Sequence, residues 1–199
     1  MKVEMSKSFQ VMAPIEKVWD FLSDIEQVTP CLPGAELGEA LDDNRHSVKI
    51  TVKVGPIKSS YKGEVTIANL DAVNHQLSIQ GKGTDVKGKG GATMELVGVL
   101  TAIDDNITEV KGDSAVTITG LLAQFGSRMV VDVSNMMFDQ FTACVKSRLE
   151  GGGDQEVASS KPVAGMSVAA AALKGVVSRG VAGARDKIGL GKALSKDEV

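Results

Sequence analysis

Between Val48 and Ile118 the chain alternates apolar and polar residues with period two, segment after segment, and then changes to a single long stretch at helical spacing. Val48, Ile50, Val52 and Val54 oppose Lys49, Thr51 and Lys53. Tyr61, Val65 and Ile67 oppose Lys62, Glu64 and Thr66, and Val110, Val116 and Ile118 oppose Lys111, Asp113 and Thr117. Segments of this kind are half-buried antiparallel strands. Turn residues at Gly55-Pro56, Asp71 to Asn74, Lys87 to Gly91 and Asp104-Asp105-Asn106 join them into successive hairpins, and six strands are counted here.

From about Leu121 to Leu149 the apolar residues Leu122, Phe125, Met129, Val133, Met136, Met137 and Phe141 fall on one face of a helix. Upstream, Val3, Met5, Phe9 and Val11 alternate with Glu4, Ser6, Ser8 and Gln10, which adds a first strand. Pro14 then opens a helix through Val18, Trp19 and Leu22. Asp24 to Thr29 reads as a second helical turn, stopped by Pro30 and by the Leu32-Pro33-Gly34 turn. The expected fold class is α+β: a curved, seven-stranded antiparallel sheet around a long C-terminal helix, with two small helices.

The faces expected to point inward also carry Ser59, Gly63, Gly81, Gly98, Gly112 and Ser114. Small residues there either leave an internal apolar cavity between sheet and helix or mark the bulges that a strongly bent sheet needs. Met94, Met129, Met136 and Met137 favour the cavity, because flexible, polarizable side chains suit an adaptable binding surface.

With 43% hydrophobic residues in 199, the chain supports one domain of about 150 residues, expected over 1–150, followed by a Gly-rich linker over 151–165 and a tail over 166–199. In the tail, Met166, Ala169, Leu173, Val176, Val177, Gly180, Val181, Ala184 and Ile188 form one stripe at helical spacing. Lys174, Ser178, Arg179 and Arg185 lie mostly opposite. Its six cations (Lys174, Arg179, Arg185, Lys187, Lys192, Lys196) outnumber three anions (Asp186, Asp197, Glu198), giving +3; since the whole chain is −3, the part before it carries −6. Interior glycines, each costing about 1 kcal/mol relative to Ala, make this helix marginal alone in water. Three readings stay open: contact with an anionic membrane face through Leu173, Lys174, Val176, Val177, Arg179, Val181, Arg185 and Ile188, a flexible low-complexity tail, or docking onto a partner protein.

The N-terminal residues Met1-Lys2-Val3-Glu4 contain no apolar h-region, so no secretory signal is expected. The apolar run Val168 to Leu173 is far short of the roughly 20 residues that span a bilayer. Cys31 and Cys144 are distant and form no C-x-x-C pair, which predicts two reduced thiols in a cytosolic protein, with neither a disulfide nor a metal site.

Chemistry is sparse. His46 and His75 are expected at the surface near turns, without ligand or triad companions. The run from Gly81 to Gly91 lacks the G-x-x-x-x-G-K-[ST] pattern and precedes a strand, so it reads as a mobile hairpin loop at the cavity rim. Asp42 with Asp43, and Asp104 with Asp105, read as turn pairs, and the patch Lys82, Lys87, Lys89 lacks the interleaved aromatics of a nucleic-acid platform.

The segment Pro14-Ile15-Glu16-Lys17-Val18-Trp19-Asp20-Phe21-Leu22, with Cys31-Leu32-Pro33-Gly34 after it, resembles the START-like helix-grip (SRPBCC) superfamily. Pro30-Cys31-Leu32-Pro33-Gly34, Tyr61-Lys62-Gly63 and the run Val116-Thr117-Ile118-Thr119-Gly120-Leu121-Leu122-Ala123-Gln124-Phe125-Gly126 together resemble the carbon monoxide dehydrogenase G-subunit family, over roughly residues 1–150. The resemblance implies a non-catalytic accessory protein of a carbon monoxide dehydrogenase-type molybdenum hydroxylase, with a deep apolar cavity. Some relatives in the superfamily are polyketide cyclases, but no matching catalytic motif is evident here.

Joined to the tail, the resemblance suggests that the cavity holds a membrane-derived apolar molecule, with an isoprenoid quinone (menaquinone or ubiquinone) as first choice and no covalent cofactor. The protein is then expected in the cytoplasm, peripherally on the inner face of the cytoplasmic membrane. Candidate ligand-binding residues are Leu32 and Pro33 at the mouth, Ile50, Tyr61, Met94 and Leu96 on the sheet, and Phe125, Met129, Val133 and Met136 on the long helix. Tyr61 is the candidate polar handle, able to hydrogen-bond a carbonyl. An adapter that recruits or matures the dehydrogenase without a ligand, and a cyclase-like enzyme, are the alternatives.

Overall fold

The computed structural model describes residues 1–54 and 57–151. Strand β1 (Lys2–Val11) leads into α1 (Ile15–Ser23), α2 (Ile25–Val28) and a 3-10 turn over Thr29–Cys31. Six strands follow: β2 (Ala35–Asp42), β3 (Arg45–Val54), β4 (Ile57–Asp71), β5 (Gln76–Asp85), β6 (Gly91–Asp104) and β7 (Ile107–Ile118). A second 3-10 turn (Leu121–Phe125) opens into the 25-residue helix α3 (Gly126–Glu150). The strands form one antiparallel sheet in the order β1-β7-β6-β5-β4-β3-β2, so β1 closes beside the last strand of the meander. The seven strands and the long helix match the sequence expectation. Beyond Gly151 the linker and the tail, including the residues from Leu173 to Ile188 considered for membrane contact, lie outside the described residues.

Local chemistry explains the two small helices. Asp24 accepts hydrogen bonds from the backbone N–H groups of Glu26 and Gln27 at 2.9 and 3.1 Å, which caps α2 and separates it from α1. The α2 helix ends at Val28, ahead of Pro30 as expected, and Pro30 sits in the first positions of the 3-10 turn that follows, where its missing N–H costs nothing. The long helix starts at Gly126 rather than Leu121. Gly126 takes φ +82°, which the right-handed helix cannot continue through, so Leu121–Phe125 form a separate turn.

The best-packed core lies at one end of the grip. Val11, Ala13, Val18, Trp19, Phe21 and Leu22 meet Leu77, Leu100 and Val110 from the sheet and Val145 and Leu149 from the last turns of α3. Lys17 donates to the Leu149 carbonyl at 2.9 Å, Glu150 accepts from the Met12 N–H at 2.8 Å, and buried Thr108 donates to the Ala13 carbonyl at 2.8 Å. Cys31 and Cys144 form a disulfide across this core, with a Cα–Cα separation of 5.4 Å. This overturns the expectation of two reduced thiols: 113 residues apart in sequence, they are brought together only when the turn before β2 packs on α3. The inference of a reducing compartment drawn from their spacing loses its basis.

The histidines also differ from expectation. His75 is half-buried at φ +48°, with its ring edge-to-face on Trp19 at 5.5 Å, and His46 is half-buried on β3. The aspartate pairs do serve turns: Asp42 accepts from the Asn44 N–H at 3.0 Å and Asp104 from the Asn106 N–H at 2.8 Å.

Two outcomes check this core. Leu100→Ala lowers unfolding stability by about 2–5 kcal/mol in urea titration, the range for a buried leucine truncated in a packed core. Thiol alkylation of the denatured protein labels no cysteine before reduction and both afterwards, and reduction lowers stability by about 2–5 kcal/mol, as the opening of a long covalent loop requires.

Candidate functional site

The inner face of the sheet can be read row by row from the strand register. Phe9, Val110 and Leu100 form the row nearest the packed core, and Phe9 sets its ring edge-on to Phe138 and Phe141 of α3 at 5.8 and 6.0 Å. Next comes Lys7–Gly112–Gly98–Leu77, then Met5–Ser114–Leu96–Ile79–Ile67, then Val3–Val116–Met94–Gly81–Val65–His46. Ile118–Ala92–Gly83–Gly63–Val48 and finally Asp85–Tyr61–Ile50–Ala35 complete the face.

The filling of these rows is uneven. The residues near α1 are buried, whereas Met5, Leu96, Ile79, Met94, Val65, Val48 and Ile50 are only half-buried, as are Met129, Val133, Met136 and Met137 on α3. A fully packed interior does not leave this many apolar side chains partly accessible. The chemical capacity of such a face is to take an apolar molecule.

The glycines divide between the two expected roles. A Cβ on Gly63 would collide with the Lys82 carbonyl, so this glycine serves the close approach of two bent strands. A Cβ on Gly81 would meet only the Met94 side chain, at 3.7 Å at the nearest, and one on Gly112 only Leu96, at 3.4 Å. Those two positions have room for a Cβ and lack one.

Of the candidate ligand residues, Ile50 and Tyr61 are direct register partners on β3 and β4. Met94 and Leu96 sit in adjacent rows of β6, and Met129, Val133 and Met136 lie on the N-terminal half of α3. Pro33 is buried and Leu32 exposed on the turn before β2, and Phe125 is exposed just ahead of α3. Two surface depressions lie elsewhere. One of about 420 Å³ is bounded by Asp42–Arg45 and Thr66–Ala68, and one of about 480 Å³ crosses β1, β6 and β7; neither includes any of these candidates.

Several polar groups on the inner face escaped sequence reasoning. Lys7 occupies an inward position of β1, where its Nζ lies 5.7 Å from the centroid of the Phe138 ring. The alternation of Val3, Met5, Phe9 and Val11 already put Lys7 on that parity. His46 Nδ1, Asn135 Oδ1 and Thr142 Oγ1 are buried without a hydrogen-bond partner among the described residues. Asp85, buried beside Tyr61, accepts from the backbone N–H groups of Lys87 and Lys89 at 2.8 and 3.4 Å. Among the described residues no cluster of His, Cys, Asp and Glu could hold a metal ion.

Burial pushes the Tyr61 phenol above its usual pKa, and the neighbouring Asp85 carboxylate adds to the effect. The hydroxyl is therefore a protonated donor at neutral pH. Because the folded-state value is raised, the associated stability is present below the unfolded value, about 10, and is lost as pH rises beyond it. Tyr61 is the only tyrosine, so ultraviolet difference titration reads it directly. The expected midpoint lies above that of the unfolded chain, and Asp85→Asn lowers it by less than unfolding does. A midpoint at the unfolded value would show a solvated phenol.

Comparison with known proteins agrees with this architecture. A conserved protein from Geobacillus kaustophilus is 19% identical with a TM-score of 0.68, over 74% of this chain and 95% of its own. The Zhui aromatase/cyclase from a Streptomyces species is 14% identical, with a TM-score of 0.56 over 78% and 100% of the two chains. A START superfamily protein from Mycobacterium smegmatis is 15% identical, with a TM-score of 0.51 over 74% and 97%. At these identities the likeness shows the fold, which is the START-like helix grip. No curated protein matches the chain. The family model of the carbon monoxide dehydrogenase G subunit (CoxG) matches residues 8–150, nearly the whole of the described fold, and the chain belongs to that family.

Proposed function

We propose that this protein is an accessory carrier for a carbon monoxide dehydrogenase-type molybdenum hydroxylase, holding a membrane-derived apolar molecule between sheet and helix and linking the enzyme to the membrane. The run of half-buried apolar side chains on the inner rows of β3–β6, together with those on α3, is the observation that carries this reading. An isoprenoid quinone fits its chemistry. The polyprenyl chain lies along Met94, Leu96, Met129, Val133 and Met136, and the protonated Tyr61 hydroxyl donates to a ring carbonyl. Family membership supplies the context: a hydroxylase that oxidises its substrate by two electrons needs an acceptor, and a quinone takes up two electrons and two protons to become the quinol. The protein's own part is to bind, orient and move the quinone, and no catalytic residue is assigned to it. No described helix is long and apolar enough to cross a membrane. The proposed link is a peripheral one, and residues 166–199 are its second element through their basic, striped sequence.

The fold shared with an aromatase/cyclase supports a second reading, turnover of a polyketide-like substrate. Tyr61→Phe separates the two, since it abolishes turnover in an enzyme and only weakens retention in a carrier. Organic extraction and mass spectrometry of the purified chain, full-length and ending at Glu150, tests the carrier directly. A stoichiometric quinone in both forms is expected. No passenger in either, with no uptake from quinone-loaded liposomes, leaves a ligand-free adapter as the function.

A further inference from the structure

The antiparallel meander sends alternate turns to opposite ends of the sheet, and the two sets of turns carry opposite charge. At the end that holds the packed core, the β2–β3, β4–β5 and β6–β7 turns present Asp42, Asp43, Asp71, Asp104 and Asp105. Arg45, the cation among them, is held by Asp42 at 2.6 Å and Glu64 at 3.7 Å. At the other end stand Lys53 and Lys58 on the facing ends of β3 and β4, Lys87 and Lys89 in the β5–β6 turn, and Arg128 in the first turn of α3. None of these five cations is in an ion pair among the described residues. The carboxylate of that turn, Asp85, is buried and engaged by backbone N–H groups. Lys53 and Lys58 are also direct register partners, a like-charge pairing that disfavours the sheet and is relieved by an anion outside it.

Apolar side chains project among these cations: Val86 is 54% exposed, and Leu32, Leu121 and Phe125 are each 37% exposed. Backbone hydrogen bonds lace the turns that carry them into one rim. The Thr51 N–H donates to the Gly34 carbonyl at 2.8 Å, Val86 to Ser60 at 2.8 Å, Leu121 to Lys89 at 3.0 Å and Thr119 to Gly91 at 2.9 Å. The Gly81–Gly91 run is thus strand to Asp85 and a short, tied turn beyond it rather than the mobile loop expected. This rim borders the half-buried rows of the inner face, away from the packed core. The acidic end also exposes aliphatic residues, including Leu41, Leu70 and Val73. The sign of the charge therefore decides which end suits an anionic surface.

We propose that the Lys53–Lys58–Lys87–Lys89–Arg128 rim, with Val86 and Leu121 at its tips, is a docking surface for an anionic lipid bilayer, so that the domain meets the membrane with its unfilled apolar face turned toward the lipid. The purpose of this surface rests on the carrier reading above; its existence does not. The lysines gain counterion-rich headgroups while the aliphatic tips enter the headgroup boundary. The carboxylates at the far end are repelled by the same surface and hold the domain upright on it.

Co-sedimentation of the full chain with vesicles of phosphatidylcholine, with or without phosphatidylglycerol, tests the surface. The variant K58E/K87E/K89E is expected to lose about tenfold or more in affinity for the anionic vesicles, and added salt weakens the unmodified chain in the same direction. The variant V86S/L121S, which keeps every charge, loses affinity without losing the salt dependence. D43K/D104K, at the opposite end, binds at least as well as the unmodified chain. Unchanged binding by both rim variants, or an equal loss on neutral vesicles, overturns the proposal.

Quinone loading from detergent micelles, measured on the same variants, keeps the two readings apart. If the unmodified chain takes no quinone from micelles, the carrier reading fails and the vesicle result stands. If the rim variants load normally from micelles but slowly from vesicles, docking is the step they have lost.

Discussion

The structure depends on the grip of one end of a curved sheet on the last turns of a single helix. Val145, fully buried, and Leu149 are packed against Val11, Val18, Trp19 and Leu22, and the same junction carries the Lys17–Leu149 and Met12–Glu150 hydrogen bonds and the Cys31–Cys144 disulfide. A two-layer fold needs only enough packed apolar area to offset its chain entropy, and this junction concentrates that area at one end. In the N-terminal half of α3 Val130 is buried, whereas Met129, Val133, Met136 and Met137 are only half-buried.

Curvature makes that arrangement compatible with an intact ladder of backbone hydrogen bonds. The register shifts between Leu37 and Ala40, between Ile67 and Asn69 and between Ala102 and Asp104 bend the strands at the acidic end. Gly63 permits β4 and β5 to close on each other where a side chain would strike a carbonyl. Gly81 and Gly112 have a different consequence, because each removes volume where volume was available. One set of glycines shapes the sheet and the other leaves the inner face unfilled.

Charge follows the same axis as packing. Turns built from Asp and Asn use the side-chain carboxylate to accept backbone N–H groups, which is sound local chemistry at Asp42, Asp71 and Asp104. The opposite turns have no comparable local reason to carry lysine. A fold whose successive turns alternate ends converts this sequence alternation into a molecular dipole, with the unfilled face toward the positive pole. Tyr61 and Asp85 sit at that pole, where burial keeps the phenol protonated and able to donate.

Sequence alone determined the fold class. Period-two alternation, turn residues at each interval and one helical stripe admit few arrangements, and the Pro14–Leu22 and Pro30–Gly34 segments identified the family that the match over 8–150 shows. It also placed Tyr61, Met94 and Leu96 on one face of the sheet, because parity along a strand is a local property. What it could not determine was anything set by pairing across distance. The disulfide joins residues 113 apart, His75 in the β4–β5 turn reaches Trp19 of α1, and Lys7, inward by parity, meets the Phe138 ring only once β1 packs on α3. The gathering of lysines at one end and aspartates at the other likewise exists only once β3 to β7 are paired. Register, the proximity it creates and the unevenness of packing are tertiary quantities, since each depends on which segments meet rather than on what any one segment prefers.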